Sequence, residues 1–224
     1  ENEIDLVIVG DSYGQGVCVE KPYDIASILI DQGNLKLINL SYGGNGPLIE
    51  YAVLREYLPL INTKKILWLY FEGDDIQNLS FELKSKILNN YLNDPNFTQN
   101  LSTKQKQINT YGNEIIEDKI KNFQDNENIK KFIKLYYFRK LILSYAKVNK
   151  ISNNKILSKS DINKFNKIIT LAKEFSNKNN ADFYFVYLPE YNRYNQKYYK
   201  SYKDEILKFF KINNIQYIDI DNAV

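Results

Sequence analysis

The 224-residue chain has no histidine, no methionine, one tryptophan and one cysteine, Cys18. A lone cysteine excludes an internal disulfide and a cysteine-based zinc site. With histidine missing as well, the usual transition-metal ligand sets are lacking, and neither a metal nor another cofactor is expected. Glycine and proline are also sparse, at nine and five, so each marks a turn worth reading. No apolar run approaches the roughly 18 residues that crossing a bilayer demands. The chain opens at Glu1 rather than at a methionine, so a missing leader carries no weight. Charge of one sign is in short supply too: 30 basic against 27 acidic residues leave a formal +3, spread along the whole chain. A nucleic-acid face concentrates its lysines and arginines, so no nucleic-acid partner is expected.

What is present is enough for one α/β domain. Hydrophobic residues make up 44% and tyrosine alone numbers 19, which permits a full-sized core. Leu6-Val7-Ile8-Val9 reads as a buried parallel strand that ends at Gly10-Asp11-Ser12. A helix is expected from Pro22 to Asp31, with proline at its start, then a strand over Lys36–Leu40. Pro47 opens a helix to about Tyr57, with Leu48, Ala52, Leu54 and Leu58 on one face. Ile66–Phe71 is a third strand, ended by Glu72-Gly73-Asp74-Asp75. Residues 79–158 are rich in Lys, Asn and Gln and read as a helical insertion or lid, with Phe132–Val148 the best amphipathic helix. Strand and helix then alternate again: a helix capped at Ser160-Asp161 and running to Lys178, a strand over Asp182–Leu188, a helix over Gln196–Phe210 and a strand over Ile215–Ile218. Such alternation predicts five parallel strands covered by helices on both faces. Ligands in such sheets sit beyond the carboxyl ends of the strands.

Three loops fall at those ends: Gly10-Asp11-Ser12-Tyr13-Gly14-Gln15-Gly16, Asn39-Leu40-Ser41-Tyr42-Gly43-Gly44-Asn45-Gly46-Pro47 and Glu72-Gly73-Asp74-Asp75. A serine at the mouth of a parallel sheet, beside glycine N–H groups, suits acyl transfer. Taken singly, each loop reads more readily as turn chemistry, with Ser12 a helix cap. The glycine spacing in the first loop is not G-x-G-x-x-G and no Walker lysine follows, so a nucleotide reading is weak. Cys18 reads as a buried apolar residue rather than a nucleophile. The acidic turn of Glu72, Asp74 and Asp75 suits a hard cation in principle, although a solvated helix-capping turn is the plainer reading. Asp11 reads as ordering its own turn. Tyr191, Tyr194, Tyr198, Tyr199 and Tyr202 form an aromatic patch fit either to stack on sugar rings or to pack under the insertion. The Asn-x-Ser/Thr triplets at Asn78, Asn96 and Asn100 read as chance in so asparagine-rich a chain.

Together the three loops resemble a known pattern. GDSYGQG is similar to block I of the SGNH/GDSL hydrolase superfamily, INLSYGGNGP to block II and FEGDD to block III. Within that superfamily, Gly10 to Leu79 resembles an uncharacterised bacterial SGNH-like group. FVYLPEYNRY and IQYIDID resemble the later part of the same fold. The resemblance implies a flavodoxin-like α/β/α sandwich spanning 1–224 as a single domain, and a serine esterase or O-acyltransferase acting on small acyl esters, acetyl groups on carbohydrate among them. It implies Ser12 as nucleophile, with the N–H groups of Ser12 and Gly44 as oxyanion donors and Asp11, Asn45 and Asp75 in support. Two departures follow. The family's third donor is an asparagine amide, and Asp74 stands in its place; a carboxylate lacks a donor unless burial beside Asp75 and Glu72 keeps it protonated. The family's base is a histidine in Asp-x-x-His after the last strand, expected downstream of Val224. The alternative is an inactive SGNH-like module that binds a glycan or a protein. A metal-dependent phosphoester chemistry at the acidic turn is a third and weaker reading. Compartment stays open between bacterial cytoplasm and envelope, as do membrane association and oligomeric state.

Overall fold

The computed structural model describes residues 3–17, 19–124, 159–194 and 202–222. Contacts divide the chain into two compact units, Glu1–Gln99 with Leu157–Val224 and, separately, Asn100–Ile156. The first unit is built on a five-stranded, all-parallel sheet: β1 (Leu6–Gly10), β2 (Leu37–Asn39), β3 (Lys65–Phe71), β4 (Asp182–Leu188) and β5 (Gln216–Asp219). The order is β2-β1-β3-β4-β5, with Val7 opposite Ile38, Val9 opposite Trp68, Trp68 opposite Phe185 and Phe185 opposite Tyr217. This is the flavodoxin-like order, in which the chain reverses direction across the sheet between β1 and β3.

Helices cover both faces, giving the three-layer α/β sandwich that the alternation predicts. On one face lie α3 (Pro47–Tyr57), α4 (Asp75–Glu82), α5 (Lys86–Asn93), α7 (Lys159–Lys178) and α8 (Lys203–Ile212). The side chains of Val7, Val9, Trp68, Tyr70, Phe165, Phe185 and Phe210 interlock there. Burying each side chain of this kind is worth roughly 1.5–3 kcal/mol before entropy is counted. The opposite face carries α2 (Ile25–Gly33) over a smaller set, Leu6, Ile8, Leu69 and Val186. Strand residues thus alternate between the two cores with period two, as pleating requires.

Two expectations need correcting. The helix expected to start at Pro22 starts at Ile25, because Asp24 outcompetes proline as the start signal: its carboxylate accepts from Ser27 N at 3.0 Å and Ser27 Oγ at 2.6 Å. The helix expected over Gln196–Phe210 begins at Lys203, since Tyr202 is its non-helical cap; 195–201 lie outside the described residues. Phe132–Val148, Cys18, Tyr198 and Tyr199 lie outside the described residues. Within 79–158, the stretch up to Gln99 packs into the first unit. There Arg55 of α3 donates to the carbonyls of Pro95 (2.7 Å) and Phe97 (2.8 Å), and Glu56 accepts from Gln99 N at 2.6 Å and from the Tyr91 hydroxyl. Burial and that carboxylate push the Tyr91 phenol up to about 12. The second unit, over its described part, is a short 3₁₀ turn (Leu101–Lys104) followed by α6 (Gln105–Gln124). Among the described residues no helix is long and apolar enough to cross a membrane.

Candidate active site

The three loops foreseen at the strand ends do converge, and β1 and β3 bring the first and third together at the reversal point of the sheet. β1 runs straight into α1 (Ser12–Gln15). Asp11, almost wholly buried, caps this single turn: Oδ1 accepts from Tyr13 N at 2.9 Å, and Oδ2 accepts from Ser12 Oγ at 3.3 Å. The capping role that turn chemistry offered Ser12 therefore belongs to Asp11, and the Ser12 hydroxyl is left at the mouth of the sheet.

The second loop is clamped against the first. Asn39 Nδ2 donates to the Gly14 carbonyl at 2.7 Å, Tyr42 N to the Gly10 carbonyl at 3.1 Å, and Gly43 N to Gln15 Oε1 at 2.6 Å. A Cβ on Gly14 would stand 2.3 Å from Ser41 Oγ, so only glycine allows this approach. A Cβ on Gly43 would stand 3.5 Å from Ser12 Cβ, which puts the second loop beside the serine. Gly44 follows with φ +87°, and its N–H meets no acceptor among the described residues. Asn45 is buried and closes the turn through its N–H on the Tyr42 carbonyl at 3.1 Å.

The third loop brings acid. One carboxylate oxygen each from Asp11, Asp74 and Asp75 lies within 4.8 Å of the others. Asp75 is fully buried at the start of α4, where Oδ2 accepts from Phe71 N at 2.8 Å while Oδ1 has no hydrogen-bond partner. Asp74 faces solvent. Partial desolvation, then Asp11 and Glu190, raise its pKa. Glu72, expected to share in that effect, instead accepts from Glu190 N at 3.1 Å. The tyrosine beside the serine, Tyr13, stacks on Phe71 at 4.1 Å and remains half-exposed.

Two residues of the neighbourhood escaped the sequence reading. Glu82 of α4 reaches the start of α3, where Gly46 has no side chain to cap with, and accepts from Gly46 N at 2.7 Å and Leu48 N at 2.9 Å. An acid at that position also meets the positive end of the helix dipole. A Cβ on Gly46 would approach Glu82 to 2.9 Å and Asn78 Cβ to 2.7 Å, which explains the glycine. Glu50, on α3, is fully buried with neither carboxylate oxygen hydrogen-bonded. Burial, then Asp75, Glu82, Asp11 and Asp74, drive its pKa well above the carboxylate range; Asp75 is raised likewise by burial and by Asp11. A glutamate among the apolar positions of α3 was the one available signal.

Chemically, the arrangement offers a hydroxyl held on a carboxylate, a neighbouring backbone N–H with no acceptor among the described residues, and a concentration of carboxyl groups around both. No protein-family model matches the chain, and no curated protein matches it either.

Proposed function

We propose that this chain carries the nucleophile and part of the oxyanion hole of an SGNH-like serine esterase or O-acyltransferase acting on small acyl esters, acetylated carbohydrate among them. The observation that carries this reading is the placement of Ser12. It sits at the β1/β3 reversal point, where sheets of this order bind ligands, with Gly43 packed beside it and the Gly44 N–H without an acceptor among the described residues. Ser12 attacks the ester carbonyl and its own N–H and that of Gly44 hold the oxyanion. Ser12 N–H lies in the first turn of α1, where no intrahelical acceptor exists. The tetrahedral adduct collapses, the ester C–O bond breaks and the alcohol leaves with a proton; the acyl group then passes from Ser12 to water or to a sugar hydroxyl, which frees the serine. The proton needs a base, and the base of the resembled superfamily is a histidine, which these 224 residues lack.

The experiment is hydrolysis of an activated acetyl ester by this chain and by the full gene product, each beside its Ser12→Ala variant. The expected result is turnover by the full product that falls by about 10³-fold or more in Ser12→Ala, with this chain near its control. If neither form exceeds its Ser12→Ala control, the catalytic reading fails.

That outcome would favour the second reading, a non-catalytic glycan- or protein-binding module. Its support is specific: an acid, Asp74, stands in the third donor's place, and the mouth of the cleft carries the exposed rings of Tyr13 and Tyr42, suited to stacking on sugars.

A further inference from the structure

Five carboxyl groups gather around the reversal point of the sheet: Asp11, Glu50, Asp74, Asp75 and Glu82. No ion pair among the described residues involves any of them; the pairs there are Lys64 with Glu3 and Lys203 with Asp219 and Asp221. Glu82 is occupied by the α3 backbone. Asp11, Asp74 and Asp75 present their oxygens to one another. Asp75 Oδ1 and both oxygens of Glu50 are buried without a hydrogen-bond partner, and Asp75 is the carboxylate acting most strongly on Glu50. Buried acceptors of this kind are costly unless something donates to them or coordinates them.

We propose that Asp11, Asp74 and Asp75 form a hard-cation site that favours calcium over magnesium. The donor set is all oxygen, which excludes soft metals and suits Ca²⁺ or Mg²⁺. Ligand number and hydration decide between them. Ca²⁺ takes about six to eight oxygen ligands in a flexible geometry, whereas Mg²⁺ keeps several waters and usually takes only one or two carboxylates. The three carboxylate oxygens, all within 4.8 Å of one another, can meet around one ion. Each Asp11 oxygen already accepts one hydrogen bond, yet a carboxylate has about four acceptor sites in all, so coordination and capping are compatible. Asp74, the one exposed member, provides the entry from solvent. The site stands on these carboxylates alone and does not depend on Ser12 being a nucleophile.

The test is isothermal titration of calcium chloride, and separately magnesium chloride, into the chelator-stripped chain near neutral pH and physiological salt. Calcium is expected to bind one site per chain, magnesium at least about tenfold more weakly. Asp75→Asn removes a buried ligand and is vulnerable to misfolding, so the informative variant is Asp74→Asn at the exposed position, checked for an unchanged circular dichroism spectrum. It is expected to lose about tenfold or more in calcium affinity, whereas Asp94→Asn, an acid far along the chain in the turn after α5, retains it. No saturable calcium binding up to about 5 mM, beyond the roughly 10⁻⁴–10⁻³ M range of weak calcium modules, overturns the proposal. So does wild-type affinity in Asp74→Asn. Loss of ester hydrolysis in Ser12→Ala with calcium binding intact separates this site from the catalytic reading.

Discussion

Along the carboxyl edge of one sheet the chain assembles two groups of acids and treats them in opposite ways. After β5, Asp219 and Asp221 close on Lys203 of α8, whose Nζ lies 2.7 and 2.6 Å from their carboxylates and 5.5 Å from the centre of the Tyr187 ring. Lys203 is almost wholly buried, and the Tyr194 hydroxyl donates to Asp221 from the other side. After β1 and β3, Asp11, Asp74 and Asp75 converge with Glu50 close by, and among the described residues none of the four is in an ion pair. Charge balanced from within fixes the end of the sheet; beside Ser12, burial and mutual repulsion instead raise the pKa of Glu50, Asp74 and Asp75. The contrast turns on whether Lys203 is what makes the difference, and the predictions address that directly.

The largest effect is expected from Lys203→Met. Removing one partner of a buried pair leaves the other charge uncompensated, at a cost of about 3–5 kcal/mol. Because the side chain of Asp221 retains some solvent, the lower end of that range applies. Urea unfolding monitored by tryptophan fluorescence reads it as a fall in midpoint at unchanged slope. The pH dependence gives a second reading. Burial alone lowers the Lys203 pKa, but the hydrogen bonds to Asp219 and Asp221 outweigh it and raise it above 10.5. A raised lysine contributes stability that is whole below 10.5 and disappears as pH climbs through the folded value. The wild-type protein is therefore expected to lose this increment only in strong alkali, and Lys203→Met to show no such loss. A variant as stable as wild type would place the pair among ornaments of the surface and dissolve the contrast.

At the other group stability also falls as pH rises, but removing the titrating side chain is expected to stabilise rather than destabilise. With chelator present, Glu50 is protonated in the fold and ionised in the unfolded chain over the interval above its ordinary value of 4.5. The unfolded state then binds fewer protons, so stability falls as pH rises through that interval. Glu50→Gln keeps the shape, removes the titration and is expected to flatten this fall, leaving the variant the more stable at neutral pH and not at pH near 4. Unfolding midpoints of the two proteins across that range check it. A wild-type profile as flat as the variant's would mean that Glu50 finds a donor the structure does not show.

The sheet was legible in the sequence because its strands are buried on both faces, and continuous apolar runs such as Leu6–Val9 and Ile66–Phe71 say so without ambiguity. The three site loops were legible for a related reason. A parallel sheet must place every strand's carboxyl end at one edge, so Ser12, Gly44 and Asp74 had to fall near one another once the strands were named. Glu50 and Glu82 were not legible. Each lies on an ordinary helix, and what makes it unusual is supplied from elsewhere: Asp75 lies against Glu50, and Gly46 and Leu48 present bare N–H groups to Glu82. Lys203 was hidden among lysines scattered along the chain; the clue was Asp219 and Asp221 straddling Ile220 at a strand end. At α2, proline and Asp24 competed as start signals, and only the side-chain hydrogen bonds to Ser27 decide such a case.

The smallest effect is also the most discriminating. Asp221→Asn and Asp74→Asn make the same chemical change, carboxylate to amide, one beyond the end strand β5 and the other beyond the central strand β3. At Asp221 it replaces a charge-assisted hydrogen bond to Lys203 by a neutral one while Asp219 stays in place, so a loss of about 1 kcal/mol is expected. At Asp74 it relieves repulsion from Asp11 and Glu190, so in chelator a small gain is expected; the site's exposure to solvent keeps that gain below the loss at Asp221. Thermal unfolding of both variants beside wild type, in chelator and then in excess calcium, reads the two signs. In calcium the gain at Asp74 should turn into a loss, because the amide weakens a ligand the ion needs, and the loss at Asp221 should stay as it was. Identical signs in chelator would show that Lys203 is not what separates the two groups, since removing a charge would then matter equally with and without a partner.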